Sequence, residues 1–201
     1  MSITPFKSFI VSKIGEHKPS EIEELILDSL FKIKSFNNEQ KEYLEQYTNL
    51  LHLSLNDIGI ETLDNFPKIH SLQVLEIMNN NLTGEDLNKM VKLYPSLYKI
   101  KLSHNKISNM NNIIGGIKHS NIEKIEILGN PMLKGISGYR RELFNKIPKL
   151  KIIDGKNIDE FSIDTTEYSD EEETSEENDS EGDSDFHSSE DEESENDDDS
   201  S

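Results

Sequence analysis

In a chain without cysteine, chemistry falls to carboxylates, histidines, lysines and hydroxyls. No disulfide framework, cysteine metal site or thiol nucleophile is open to it. His52, His70, His104 and His119 are scattered through the sequence without the short spacings of metal ligands, so they read as surface or turn residues. Gly115-Gly116 is too little to cradle a phosphate. No nucleophile, base and orienting residue form a set, so the expectation is a protein that is not an enzyme, with no catalytic residues, no cofactor and no metal. What remains is charge. Asp164 to Ser201 holds 20 of the 40 acids and no Lys or Arg, while all 21 bases lie earlier against the other 20 acids. Such a polyanion attracts basic proteins at long range, weakens with salt and repels nucleic acid. Within it Ser169, Thr174, Ser180, Ser188, Ser189 and Ser194 each precede an acid by three residues, the pattern of an acid-directed kinase of the casein kinase 2 type. A phosphate there would add about −1.5 to −2 of charge per site.

The elements that position the remaining polar groups follow from a repeat. Leu72, Leu75, Ile77, Asn80, Leu82 recur as Leu97, Ile100, Leu102, Asn105, Ile107 and as Ile122, Ile125, Ile127, Asn130, Met132, with starts 25 residues apart. This is the leucine-rich pattern L-x-x-L-x-L-x-x-N-x-L. Its fourth and sixth positions flank one residue, as a short strand with one face inward requires. The asparagine amide can bond backbone groups that the turn leaves unpaired, so a structural ladder of Asn80, Asn105 and Asn130 is expected. An earlier copy, Leu50, Leu53, Leu55, carries Ile58 where asparagine is expected, and Ile22, Leu25, Leu27 match a first copy. Ser20 to Phe36 could also be a helix opened by Ser20 and Glu23, but the phase of the neighbouring repeats favours a strand over 22–27.

Around the repeats, Phe6, Phe9, Ile10 and Ile14 predict an amphipathic helix over 4–17 that covers the exposed end of the solenoid. Leu87, Met90, Val91 and Leu93 predict a short convex helix between Gly84 and Pro95. Tyr139, Leu143, Phe144 and Ile147 predict a helix ended by Pro148, leading through Leu150 and Ile153 to Asp154-Gly155, an atypical last unit. Beyond Gly155, Asp, Glu and Ser dominate and periodicity is lost, so the segment should be disordered. The expected fold is an α/β solenoid: a right-handed curved leucine-rich repeat with a parallel concave sheet. A capping helix occupies 1–18, about five repeats and a C-terminal cap (138–156) occupy 19–158, and the acidic tail occupies 159–201. With no signal-peptide core and no apolar run near 18 residues, the chain reads as soluble and intracellular, without a membrane contact.

By register, the concave side of the sheet should present Glu24, Ile26 and Asp28; His52, Ser54 and Asn56; Val74, Glu76 and Met78; Lys99, Lys101 and Ser103; Lys124, Glu126 and Leu128. Solenoids commonly bind partners there, and apolar residues mixed with lysines suit a protein.

Several stretches resemble the acidic leucine-rich nuclear phosphoprotein 32 family. Lys18 to Asp28 is similar to its opening repeat, Ile58 to Pro67 to its second, and Tyr94 to Ile107 to its fourth. Gly138 to Phe144, Ile147 to Leu150 and Asp154-Gly155 look like its C-terminal cap, centred on Tyr139, Phe144, Pro148, Leu150, Asp154 and Gly155. The cap is shared with the A-prime protein of a spliceosomal ribonucleoprotein and some dynein light chains. The resemblance implies a nuclear protein that binds histones and acts in chromatin regulation; a monomer that also shuttles to the cytoplasm is the expectation for the chain. It also implies, as an alternative, inhibition of protein phosphatase 2A, while the relatives that share the cap offer a ribonucleoprotein scaffold, against which the acidic tail argues.

Overall fold

Each repeat contributes a strand of three residues or fewer, which is stable only through the copies beside it. The structure, a computed structural model, describes residues 2–85 and 87–159. In it β1 (Glu24–Ile26), β2 (His52–Ser54), β3 (Val74–Glu76), β4 (Lys99–Lys101), β5 (Lys124–Glu126) and β6 (Ile152–Ile153) form one parallel sheet in chain order. The fold is the expected leucine-rich repeat solenoid. From Glu160 onward, the acidic tail and its six candidate modification sites lie outside the described residues.

Register explains the pattern. Leu25, Leu53, Leu75, Ile100, Ile125 and Ile153 are aligned across the sheet, and none is more than 1% exposed. Burial of each such side chain stabilises the fold by about 2 kcal/mol. Two residues further on, Leu27, Leu55, Ile77, Leu102 and Ile127 form a second buried row, and Leu50, Leu72, Leu97, Ile122 and Leu150 close the core on the other side.

The asparagines join consecutive turns. Asn80 Oδ1 accepts from the Ile58 and Ile60 N–H groups at 3.2 and 3.0 Å, while its amide donates to the Leu55 carbonyl at 2.9 Å. Asn105 accepts from Leu82 N–H and donates to the Ile77 and Leu102 carbonyls. Asn130 accepts from Ile107 N–H and donates to the Leu102 and Ile127 carbonyls. Ile58, which replaces asparagine in the second copy, is fully buried and its own N–H is one that Asn80 satisfies.

Helix α1 (Ile3–Ile14) buries Phe6, Ile10 and Ile14. It starts one residue before the expected range and stops three residues short of it, because Gly15 turns the chain at a φ of 61° and its N–H closes on the Val11 carbonyl. Phe6 meets Phe31 edge-on at 5.2 Å and Phe36 at 6.2 Å, which ties the helix to the first turn. Ahead of β1 a 3-10 turn (Pro19–Glu21) is closed by the Glu21 carboxylate, which accepts from Lys18 N–H at 3.0 Å, rather than by Ser20 and Glu23.

Two helices were not expected. The first, α2 (Asn38–Leu44), opens on a capping box in which Asn37 Oδ1 accepts from Gln40 N–H and Gln40 Oε1 accepts from Asn37 N–H. The other is α4 (Met110–Ile117), packed beside α3 (Leu87–Val91). Gly116 permits that approach, since a Cβ there would lie 2.8 Å from Leu87 Cδ2. The last helix, α5 (Tyr139–Lys146), ends ahead of Pro148 as expected. The sheet continues past the point where the sequence pattern lapses, because pairing of β6 with β5 requires only main chain. Among the described residues no helix is long and apolar enough to cross a membrane.

Asn105→Ala leaves the Leu82 N–H and the Ile77 carbonyl without their side-chain partner and opens a small void, so it should lower unfolding free energy by about 3 kcal/mol in urea titration. Asn88→Ala, at an exposed position of α3, should change it by less than about 0.5 kcal/mol.

Candidate functional site

Side chains between the buried positions of each strand point to the opposite face, and parallel register stacks them in rows. The first row runs Glu24, His52, Val74, Lys99, Lys124 and Ile152, and the second Ile26, Ser54, Glu76, Lys101 and Glu126. A third row, Asp28, Asn56, Met78, Ser103 and Leu128, lies just past the strands. There the ladder continues through Ser29 N–H to Asn56, Asp57 N–H to Met78, Asn79 N–H to Ser103 and His104 N–H to Leu128, at 2.7–3.0 Å.

Glu76 is the hub. Its Oε1 lies 3.2 Å from His52 Nε2 and 2.9 Å from Lys101 Nζ. Lys101 also lies 3.8 Å from Glu126 Oε1, and His52 Nδ1 lies 2.7 Å from Glu24 Oε1. An alternating chain Glu24, His52, Glu76, Lys101, Glu126 thus runs from β1 to β5. Burial alone would raise the Glu76 carboxyl, but hydrogen bonds from His52 and Lys101, the Lys101 charge and the Asn56 amide outweigh it and bring it down to about 2. His52 is raised, with the hydrogen bond to Glu76 as the largest cause; burial opposes it and Glu24 adds to it. Glu24 is the nearer carboxylate, yet its side chain is 60% exposed against 14% for Glu76, and solvent screens it.

The third row is tied down at its acidic end. Asp28 accepts from the Ser54 hydroxyl at 2.7 Å, the Asn56 backbone N–H at 2.8 Å and the Asn56 amide at 3.0 Å. Asn56 Oδ1 in turn accepts from Met78 N–H at 2.7 Å. At the other end of the sheet Lys99 is half-buried; burial and then the Lys101 charge hold its ammonium below the usual lysine value, against the opposing pull of Glu126 and Glu76.

Histidine divides two ways. His52 sits within the charge chain, whereas His70, His104 and His119 lie in separate connections. No group of three or more His, Asp or Glu side chains that could hold a metal occurs among the described residues. Three contributors were not read from the sequence. Tyr98 lies beneath Lys124, whose Nζ is 5.6 Å from the ring centroid; the aromatic beside alternating lysines was a signal. Ile152 extends the first row through β6. Asp154 was expected only as a cap residue, but its fully buried carboxylate also accepts from Ile127 and Leu128 N–H and from the Tyr139 hydroxyl, and lies 3.9 Å from Arg140. It therefore holds the last edge of the concave face.

Because His52 has a folded pKa above its unfolded value of about 6.5, its contribution is complete below that value and is lost as pH rises through the folded pKa. Wild type should therefore lose roughly 1 kcal/mol relative to His52→Gln on going from pH 6 to pH 8, read by urea titration at both pH values. Glu76 contributes above its unfolded value of about 4.5 and loses that contribution as pH falls toward about 2.

The leucine-rich repeat family model matches residues 24–177. An acidic leucine-rich nuclear phosphoprotein 32-related protein of Plasmodium falciparum is 37% identical over 144 residues, covering 71% of this chain and 50% of that protein. A Caenorhabditis elegans protein of the same description, numbered 1, is 31% identical over 150 residues, 74% of this chain and 63% of its own length. The chain thus spans about half to three-fifths of these relatives. A Tetrahymena thermophila protein that bears the name of a histone is 28% identical over 145 residues, 72% of this chain and 37% of that one. Among solved structures, a chain of the Drosophila melanogaster SNF/U2A' complex superposes with a TM-score of 0.53 at 27% identity, covering 67% of this chain and 74% of that one. The chain belongs to the leucine-rich repeat family and is related within it to the acidic leucine-rich nuclear phosphoprotein 32-related proteins.

Proposed function

We propose that this protein is a nuclear, non-catalytic binding protein whose solenoid, 19–158, docks a protein partner while the acidic segment that follows engages basic proteins, histones first. The observation that carries this reading is the charge division: a body with 20 acids and 21 bases, then 20 acids without a Lys or Arg from Asp164 onward. A segment of that kind speeds encounter with a basic partner and contributes less as salt rises. The names of the relatives support the compartment, and the similarity to a protein named as a histone supports the partner class. Phosphorylation at Ser169, Thr174, Ser180, Ser188, Ser189 and Ser194 would deepen the negative charge and strengthen the same interaction.

Each purified core histone dimer should bind the full chain, and truncation after Asn157 should weaken binding by about tenfold or more at low salt, measured by fluorescence anisotropy. The advantage of the full chain should shrink at physiological salt. Equal binding by both chains would remove the acidic segment from the mechanism. Binding by neither would remove histones as the partner.

A further inference from the structure

Away from the concave face, between α3 and the turns that lead into β4 and β5, lies an open hollow of about 250 Å³. Among the described residues no acid lines it. Most of its acceptors are already spent. The Pro95 carbonyl receives the Asn121 amide at 3.0 Å, and the Ser120 carbonyl and Asn121 Oδ1 receive Lys149 Nζ at 3.0 and 3.1 Å. The Ser120 hydroxyl donates to the Ile117 carbonyl at 2.7 Å and accepts from Ile122 N–H at 3.2 Å. At the end of α3 the Met90 carbonyl is taken by Leu93 N–H and the Val91 carbonyl by Tyr94 N–H. The buried Tyr94 hydroxyl donates to the Pro67 carbonyl. What the hollow still offers is donors. Lys92 and His119 line it, both are exposed, and among the described residues neither is paired with an acid. Asn88 brings an amide that is likewise without a partner among the described residues. Lys149 spends two of its three ammonium protons on lining residues and keeps one. Helix C-termini draw cations, and α3 ends here, which accounts for Lys92 but not for a hollow whose unspent groups are donors.

We propose that this hollow binds a phosphate monoester carried on a serine or threonine side chain of a partner protein. A hollow with donors to spare and no carboxylate suits a ligand that only accepts. A phosphomonoester brings three acceptor oxygens and about −1.5 to −2 of charge, more than a carboxylate offers. Two ammonium groups, an imidazole N–H and an amide meet that demand, and the charge-assisted bonds among them are the strong ones. Nucleic acid fits less well. Its phosphates continue past a hollow that takes one group, and the chain as a whole carries −19. A single group answers instead to the cations within a Debye length, about 8 Å at physiological salt. Val91 and Pro95 give the methylene of a phosphorylated side chain an apolar wall, which favours a phosphorylated residue over the bare ion. The proposal names a partner for the solenoid and so rests on the reading of that domain as a protein-docking body, but it involves neither the acidic segment nor histones.

Titration of the full, 15N-labelled chain with O-phospho-L-serine at fixed ionic strength tests the site by NMR. The backbone amides of Asn88, Lys92, His119 and Ser120 should shift saturably, and L-serine at the same concentration should leave them in place. A fluorescent peptide, selected from a library with one fixed phosphoserine among random positions, should bind about tenfold or more tightly than inorganic phosphate measured as its competitor. Removing its phosphate should weaken it about tenfold or more. Lys92→Glu should weaken the phosphorylated peptide about tenfold and His119→Ala about threefold. Lys13→Glu, the same charge reversal at an exposed position of α1, should change it by less than about twofold. Circular dichroism melts show whether each variant is folded; should Lys92→Glu not be, Lys92→Gln takes its place. No saturable shift at these amides, equal binding with and without the phosphate, or an equal loss in Lys92→Glu and Lys13→Glu would overturn the site. Inorganic phosphate binding as tightly as the peptide, or a single-stranded RNA hexamer binding more tightly, would overturn the protein partner. Histone binding measured on the same preparation keeps the two readings apart. Histone binding without the phosphoserine shifts removes only this site, whereas phosphopeptide binding without histone binding upholds the site and removes the histones.

Discussion

Where each short strand turns outward, the main chain leaves N–H and C=O groups that no neighbouring strand can reach, and in a buried turn each would cost about 1–3 kcal/mol unpaired. Asn80, Asn105 and Asn130 answer that cost. Each is no more than 6% exposed, and each accepts from the preceding turn while donating to carbonyls there and in its own turn. The amide suits the position because one end accepts and the other donates twice. Spacing between turns is thereby set by hydrogen bonds as well as by apolar contact, and the three-residue strands are held in common register. Everything on the concave face inherits its alignment from this ladder.

On that face, alignment converts isolated charges into a network. Glu24, His52, Glu76, Lys101 and Glu126 are far apart in sequence, yet the register sets them on adjacent strands with alternating sign. Glu76 is the most enclosed of its three carboxylates, and its two cationic neighbours keep it ionised despite burial. A face whose charges are mutually held loses little side-chain freedom when a partner arrives. Among the described residues Lys99 stands outside this chain of ion pairs, half-buried and with its ammonium held below the usual lysine value by burial and by Lys101.

The ends of the solenoid are closed by different means. At the start α1 lays Phe6, Ile10 and Ile14 on the first turn, an apolar cover for an apolar edge. At the finish the cover is polar at its centre. Asp154 takes a φ of 51° and Gly155 one of 73°, so the carboxylate turns inward to accept the Ile127 and Leu128 N–H groups that a further repeat would otherwise have paired. Burial and the hydrogen bond to Asp154 raise the Tyr139 pKa, so its hydroxyl stays a donor at physiological pH.

Periodicity alone determined the repeat, its first five strands, the placement of Leu25 through Ile125 in the core and most of the residues that share the concave face, because a fixed offset with one face buried leaves no other register. The helix at Tyr139–Lys146 was legible from its spacing and from Pro148. The first strand was legible through its phase, although Ile22, Leu25 and Ile26 also fit a helix. Helices α2 and α4 were not read. The Asn37 and Gln40 capping box was present in the sequence, but α4 carries Gly115-Gly116, whose low helix propensity masks a turn held by packing against Leu87. The face shows the same division. Sequence spacing named most of its residues, while only the tertiary structure decided that His52 bridges two carboxylates, that Asn56 and Asp28 are consumed by the backbone and by each other, and that Lys99 makes no ion pair among the described residues. Those outcomes depend on contacts such as the 2.7 Å between His52 and Glu24 and the 2.9 Å between Lys101 and Glu76, made by residues of different repeats, and such distances exist only once the turns are stacked.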